Sequence, residues 1–236
     1  MRTILTMCIY NEEEFLWDTL QNTVKTVKDL DAIHILDGAW KYGGTSPNSS
    51  DKTDRIIETF AHACQSNYPE LEIFFAHSSD IFESESAKRN HQLKLIDGIY
   101  GGEDYYAFVI DGDEEIRFPN GVVELWLRDY LKEQNNRCGL VTTYAYNQQK
   151  GGKILRFIPG NQGIHYHTGK SMCLHDKNCE MITDYTPGIE WINKQCFEVT
   201  DFFIMNKWNI RNKERQIEKD KFWQHQQATP EIKCTY

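Results

Sequence analysis

The sequence lacks a long hydrophobic run, a paired-cysteine motif and a dense basic stripe before its C-terminal segment, and each absence removes a class of protein. No apolar stretch approaches the roughly 20 residues that span a bilayer. Residues 1–10 carry one basic residue and a short apolar run that meets Asn11-Glu12-Glu13-Glu14, without the h-region and cleavage site of a secretory leader. The 7 cysteines are an odd number scattered from Cys8 to Cys234, with no Cys-x-x-Cys pair and no Cys/His spacing of a structural zinc site. They are expected to be reduced thiols, and a cytoplasmic setting with no transmembrane segment is the resulting expectation. The formal net charge of -9, with no dense basic stripe before the C-terminal segment, argues against nucleic acid as the principal partner. For an anionic phosphate ligand, a bound cation is the natural bridge to so acidic a chain. Internal repeats and low-complexity segments are also missing.

What is present is an α/β pattern. At 236 residues, with 40% hydrophobic and 26% charged residues, the chain is expected to form one well-buried domain. Its first half alternates short β-rich runs with helical patterns, the sequence form of a mostly parallel sheet with helices on both faces. Strands are expected at residues 4–9, 32–36, 71–75 and 105–110. Helices are expected after Asn11, whose spacing to Glu14 suggests a capping box, around Ile56, Ile57, Phe60 and Cys64, and over 86–99. Residues 38–53, rich in Gly, Ser and Asn, predict a long loop. Pro119 suggests a further helix with a buried stripe of Val122, Val123, Trp126 and Tyr130. Beyond residue 135 the alternation stops. Antiparallel strands at 140–146 and 153–158, an irregular region over 163–187 and a charged helix over 207–227 complete a smaller second half (136–236), against a first half of 1–135.

In open α/β sheets ligands collect at the carboxyl ends of the strands. Here those ends carry Tyr10-Asn11-Glu12, Asp37 and Asp111-Gly112-Asp113. Residues two apart on an extended chain point the same way, so Asp111 and Asp113 are expected to face one site, with Gly112 allowing close backbone approach. Two hard oxygen donors suit Mg2+ or Mn2+, which bind through one or two carboxylates plus phosphate oxygens.

These residues resemble the family 2 glycosyltransferases over nearly the whole chain. The matching features are the Tyr10-Asn11-Glu12 turn, Asp37 at the end of the second strand, Ser50-Asp51-Lys52-Thr53 after a loop longer by about ten residues than the family pattern, Ala87-Lys88-Arg89-Asn90, and Asp111-Gly112-Asp113. In the second half Arg156-Phe157, Gly163-Ile164-His165-Tyr166, His175-Asp176 with Asp in place of the family's Glu, and Arg211-Asn212-x-x-Arg215 resemble further family motifs.

The resemblance implies a GT-A fold and an inverting sugar transfer from a nucleotide-sugar donor, a UDP-sugar first, to a hydroxyl of a glycan, a lipid-linked or a protein acceptor. It implies that Tyr10, Asn11, Glu12, Asp37 and Arg89 hold the nucleoside, and that Asp111, Gly112 and Asp113 hold diphosphate and a Mn2+ or Mg2+ ion. Such a transfer needs a carboxylate to take the acceptor's proton. Asp176 is the candidate base, with Glu180 and Asp184 as substitutes, and His175 or His167 the candidate third metal ligand.

Plainer roles stand beside these. Tyr10 can be strand-end packing, Glu12 a first-turn anion, and Lys88, Arg89, Arg211, Lys213 and Arg215 solvated helix faces, with phosphate binding the lesser reading of Arg211, Lys213 and Arg215; Trp126, Trp191, Trp208 and Trp223 read as core or acceptor-side packing. A nucleotidyltransferase of similar architecture would run its first strand into a glycine-rich loop, and the Tyr10-Asn11-Glu12-Glu13 turn has no glycine. A non-catalytic nucleotide or sugar binding module would bind without turnover.

Overall fold

The structure of the chain is a computed structural model. It describes residues 1–41, 44–121, 123–146, 152–166, 174–175, 178, 181–183, 196–207, 210–211, 213 and 217. In chain order the elements are β1 (Arg2–Ile9), α1 (Leu16–Thr26), β2 (Ala32–Asp37), α2 (Thr53–Asn67), β3 (Glu72–His77), α3 (Glu85–Tyr100), β4 (Tyr105–Val109), β5 (Glu114–Arg117), α4 (Arg128–Lys132), β6 (Cys138–Ala145), β7 (Gly152–Pro159), β8 (His165–Tyr166), β9 (Leu174–His175), β10 (Met181–Thr183) and β11 (Cys196–Asn206). They make an eight-stranded sheet in the order β3-β2-β1-β4-β7-β6-β11-β5, and a three-stranded sheet in the order β10-β9-β8. β3, β2, β1 and β4 are parallel; β7 pairs antiparallel with both β4 and β6. The class is the mixed α/β one expected, and strands from both sides of residue 135 enter one sheet. No described helix is long and apolar enough to cross a membrane.

Alternation along the strands sorts side chains between two apolar layers. Leu5, Met7 and Ile9 of β1 and Tyr106 and Phe108 of β4 pack with Leu16, Leu20 and Val24 of α1 and Ile57 and Phe60 of α2. Ile4, Ala107 and Val109 turn the other way, toward Leu93, Ile96 and Tyr100 of α3. The sheet is therefore covered on both faces, which is why its central strands read as nearly continuous apolar runs.

His34 of β2 is buried on the α3 side, stacked on Phe74 at 4.4 Å with Nε2 3.3 Å from the Tyr100 hydroxyl. Burial pushes its imidazole down to about 4, with Glu72 opposing. The folded value lies below the unfolded one near 6.5, so this histidine's contribution to stability is present above pH 6.5 and lost as pH falls toward 4. His34→Gln is expected to reduce the acid loss of stability by on the order of 1–2 kcal/mol. Urea midpoints of both proteins across pH 4–7 check this; parallel pH curves would contradict it.

The structure departs from the sequence pattern in two places. The chain after Pro119 does not form a helix with a buried stripe: Val123 and Trp126 are 72% and 64% exposed. Leu125 instead bridges Val27, and the short α4 begins at Arg128, where the Asp29 carboxylate accepts from the backbone N–H of Leu127 and Arg128. Val122 lies outside the described residues, while Tyr130 packs against the core as expected. The stretch expected to be irregular over 163–187 contains the small β8–β10 sheet. The charged helix expected over 207–227 falls mostly outside the described residues, as do Trp191, Trp208 and Trp223.

Candidate active site at the carboxyl ends of β1, β2 and β4

Because β2, β1 and β4 are adjacent and parallel, the residues that follow them gather at one edge of the sheet. Asn11 leaves β1 in the left-handed region, with φ of 51°. It does not act as a helix cap; α1 starts at Leu16 without a side-chain cap. Its backbone N–H donates to Ser49 Oγ (2.7 Å) and its side-chain carbonyl accepts from Ser50 N (2.8 Å). Glu12 N donates to Thr53 Oγ1 (2.8 Å), and Thr53 N to Asp51 Oδ1 (2.9 Å). The Ser50-Asp51-Lys52-Thr53 motif is thus a clasp that docks the start of α2 on the end of β1.

Asp37 is wholly buried beneath the same loop, accepting from Ser49 N (2.7 Å) and Ser49 Oγ (2.6 Å). Tyr10 is buried with its ring edge-on to Trp40 at 6.5 Å, so close to Gly44 that a Cβ there would sit 2.2 Å from the tyrosine hydroxyl. The long loop therefore covers Tyr10 and Asp37, two of the residues expected to meet the nucleoside. Contact with a base or ribose would require Ser49 and Gly44 to move.

The first turns of α3 explain the Ala87-Lys88-Arg89-Asn90 motif, and correct the solvated-face reading of Lys88 and Arg89. Ser84 Oγ caps α3 by accepting from Ala87 N (3.0 Å). Lys88 is fully buried and donates to the carbonyls of Ile9 (2.5 Å) and Gly38 (2.6 Å), tying the ends of β1 and β2 together. Burial pushes its ammonium down to about 8. Arg89 pairs with Glu85 (2.7 Å) and reaches Asp111 Oδ1 (2.7 Å). Asn90 exchanges two hydrogen bonds with the Tyr166 backbone, fixing β8 against α3.

At the end of β4 the chain turns, with Glu114 N donating to Asp111 O (3.1 Å), so it does not continue extended through Asp113. Asp111 and Asp113 consequently have different partners. Asp111 Oδ2 lies 3.6 Å from Arg156, and Arg156 also pairs with Glu114 (2.6 Å). Burial holds the Glu114 carboxyl up at about 7 even with Arg156 opposing. Asp113 Oδ2 meets Arg211 at 2.7 Å, and the same guanidinium meets Glu12 Oε2 at 2.5 Å. Gly112 sits against Glu12, where an added Cβ would be 3.0 Å from Glu12 Cγ. The close approach expected at this glycine is therefore made by the β1 turn.

Arg211 was expected on a solvated helix face, yet its side chain is 0% exposed. Backbone contacts place it: Lys207 N donates to Asp113 O (2.9 Å), and Ile210 N to Lys207 O (3.0 Å). Its guanidinium stands over the Phe15 ring at 5.5 Å, beside Lys207 over the same ring at 5.4 Å. Glu114, paired with Arg156, was not singled out from sequence; the acidic run Asp113-Glu114-Glu115 was its only signal. Lys213 is exposed as expected, and Arg215 lies outside the described residues.

Among the described residues, Asp37, Asp54 and His77 bring their ligand atoms within 4.8 Å of one another, a set that could hold a metal ion. His77 lies 3.6 Å from Asp37 and 3.7 Å from Asp54, and burial pushes the Asp54 carboxyl up. Asp111, Asp113 and His175 form no such group. His175 sits on β9 with its ring 6.0 Å from that of His165. With guanidinium groups already on Asp111 and Asp113, the donor set expected for Mn2+ or Mg2+ does not fit a divalent ion as arranged. Asp176, Glu180, Asp184 and His167 lie outside the described residues. A cavity of about 180 Å³ lined by Val24, Val27, Tyr68 and Leu71 lies at the other end of the sheet, away from these groups.

No family model and no curated protein matches the chain. Solved structures do. TarS 1–349 of S. aureus in complex with UDP-GlcNAc is similar at 16% identity and a TM-score of 0.44, covering 72% of this chain and 41% of that one. The mannosyltransferase PcManGT from Pyrobaculum calidifontis, in complex with GDP-Man and Mn2+, is similar at 16% identity and a TM-score of 0.39, covering 61% and 36%. A UDP-glucose pyrophosphorylase complexed with UDP-glucose is similar at 8% identity and a TM-score of 0.37, covering 99% and 91%. This chain spans less than half the length of the TarS and mannosyltransferase chains it is similar to.

Proposed function

We propose that the chain is a glycosyltransferase of GT-A type that moves a sugar from a nucleotide-sugar donor, a UDP-sugar first, to an acceptor hydroxyl with inversion. The observation that carries this reading is the gathering of Glu12, Asp111, Asp113 and Glu114 with Arg89, Arg156 and Arg211 where parallel strands end. Such an edge is where open α/β sheets hold ligands, and guanidinium forks match phosphate oxygens.

Tyr10, Asn11, Glu12, Asp37 and Arg89 are assigned to the nucleoside side, reached once the 38–53 loop opens. Asp111, Gly112 and Asp113 are assigned to the diphosphate side. In the transfer the acceptor oxygen attacks the anomeric carbon, the bond from that carbon to the diphosphate oxygen breaks, and Asp176 takes the acceptor's proton. The acceptor is a hydroxyl of a glycan, a lipid-linked molecule or a protein. A divalent ion, Mn2+ or Mg2+, would stabilise the departing diphosphate if Asp111 and Asp113 were released to it.

Product analysis tests the reaction class. Incubation with UDP-GlcNAc, UDP-glucose or GDP-mannose together with a panel of glycan, lipid-linked and protein hydroxyl acceptors, followed by nucleotide chromatography, is expected to release nucleoside diphosphate from one donor beyond the acceptor-free control. Formation of nucleoside triphosphate on adding pyrophosphate would assign a nucleotidyltransferase and overturn the proposal.

A further inference from the structure

We propose that Arg211 is the resident cation of this site, receiving an oxygen of the donor's diphosphate and making nucleotide binding independent of a divalent ion. This inference rests on the glycosyltransferase reading and adds how that site neutralises its ligand's charge.

The guanidinium uses one edge on the protein. Nε donates to Asp113 Oδ2 (3.1 Å), while Nη2 reaches both Asp113 Oδ2 and Glu12 Oε2. Nη1 is buried and has no hydrogen-bond partner among the described residues. A buried charged donor left unmade is costly, and an oxyanion from a ligand is the partner its chemistry calls for. The position also answers the electrostatic problem. A nucleoside diphosphate entering beside Glu12, Asp111 and Asp113 meets like charge, and a cation seated on two of those carboxylates removes it. Arg211 already occupies that place, held over Phe15 and anchored through Lys207 to the Asp113 carbonyl. The described trio that could hold a metal, Asp37, Asp54 and His77, includes neither Asp111 nor Asp113, and Asp111 is met by the guanidinium groups of Arg89 and Arg156.

The test is calorimetric titration of the full chain with UDP and with GDP, first in EDTA and then with Mn2+, for the wild type, Arg211→Lys and Arg211→Gln. The wild type is expected to bind one of the nucleotides equally in both buffers, within about twofold. Arg211→Lys keeps the charge for folding but loses the fork, and is expected to bind about tenfold or more weakly in EDTA. For Arg211→Gln the same loss is expected, with Mn2+ restoring affinity because Glu12 and Asp113 are freed to ligate it. The inference is overturned if EDTA abolishes wild-type binding, or if Arg211→Lys, folded by far-UV circular dichroism, binds in EDTA as the wild type does. Absence of binding by the wild type in both buffers would instead overturn the glycosyltransferase reading itself.

Discussion

Arg156→Ala is expected to lower the unfolding free energy by roughly 2–4 kcal/mol at pH 7.5, because it leaves the Val109 carbonyl without its buried donor and forces the buried Glu114 carboxyl to hold a proton. Glu114 is 1% exposed and meets Arg156 at 2.6 Å; Arg156 also donates to the Val109 carbonyl and lies near Asp111. The pH dependence gives the effect a signature. Burial holds the Glu114 carboxyl at about 7 in the folded chain, above its unfolded value near 4.5. The native state therefore binds the extra proton between those values, and stability falls as pH rises through that window. Without Arg156 the carboxyl moves further up, so the variant's deficit is expected to be smallest near pH 5 and to grow past pH 7. Urea denaturation at pH 5 and 7.5 measures it, and Arg156→Met with Glu114→Gln should recover most of the loss. A deficit below 1 kcal/mol, or one independent of pH, would contradict the buried pairing.

The second large effect concerns turnover. Asp176→Asn removes the proposed proton acceptor while preserving size and hydrogen-bonding shape, and transfer is expected to fall by about 10²–10⁴-fold. Donor affinity should be retained, since the base acts on the acceptor's proton and not on the nucleotide. Competition binding of UDP alongside the turnover assay separates the two. Undiminished transfer would move the base to another carboxylate, with Glu180 and Asp184 next to be replaced in turn.

Much of the sheet was legible because its physics is local. Central strands buried on both faces must be apolar throughout, and the runs around Ile4–Ile9, Ile33–Leu36 and Tyr105–Val109 leave little choice. The carboxyl-end rule then placed Glu12, Asp37 and Asp111 at one edge without further information. The partners of those residues were not legible. Arg211 meets Glu12 and Asp113 from the far end of the chain, and nothing in its charged, helix-like neighbourhood distinguishes a buried arginine from a solvated one. Lys88 misled for the same reason, since it turns inward to backbone carbonyls of β1 and the β2 turn. The stripe of Val123 and Trp126 failed in the opposite sense: its helical spacing was real, but the bridge of Leu125 to Val27 and the Asp29 cap delay the helix to Arg128. The loop after Asp37 was legible as a loop and not as a cover, because its hold on β1 and β2 depends on single Ser49 and Ser50 contacts.

Whether this edge of the sheet receives a nucleotide is settled most directly by titrating the folded chain with UDP and GDP while following proteolysis within the 38–53 loop. Saturable binding, weakened by Arg89→Gln and accompanied by altered cleavage of the loop that covers Tyr10 and Asp37, is the expected result. Failure of either nucleotide to bind at millimolar concentration, with the protein folded, would contradict it.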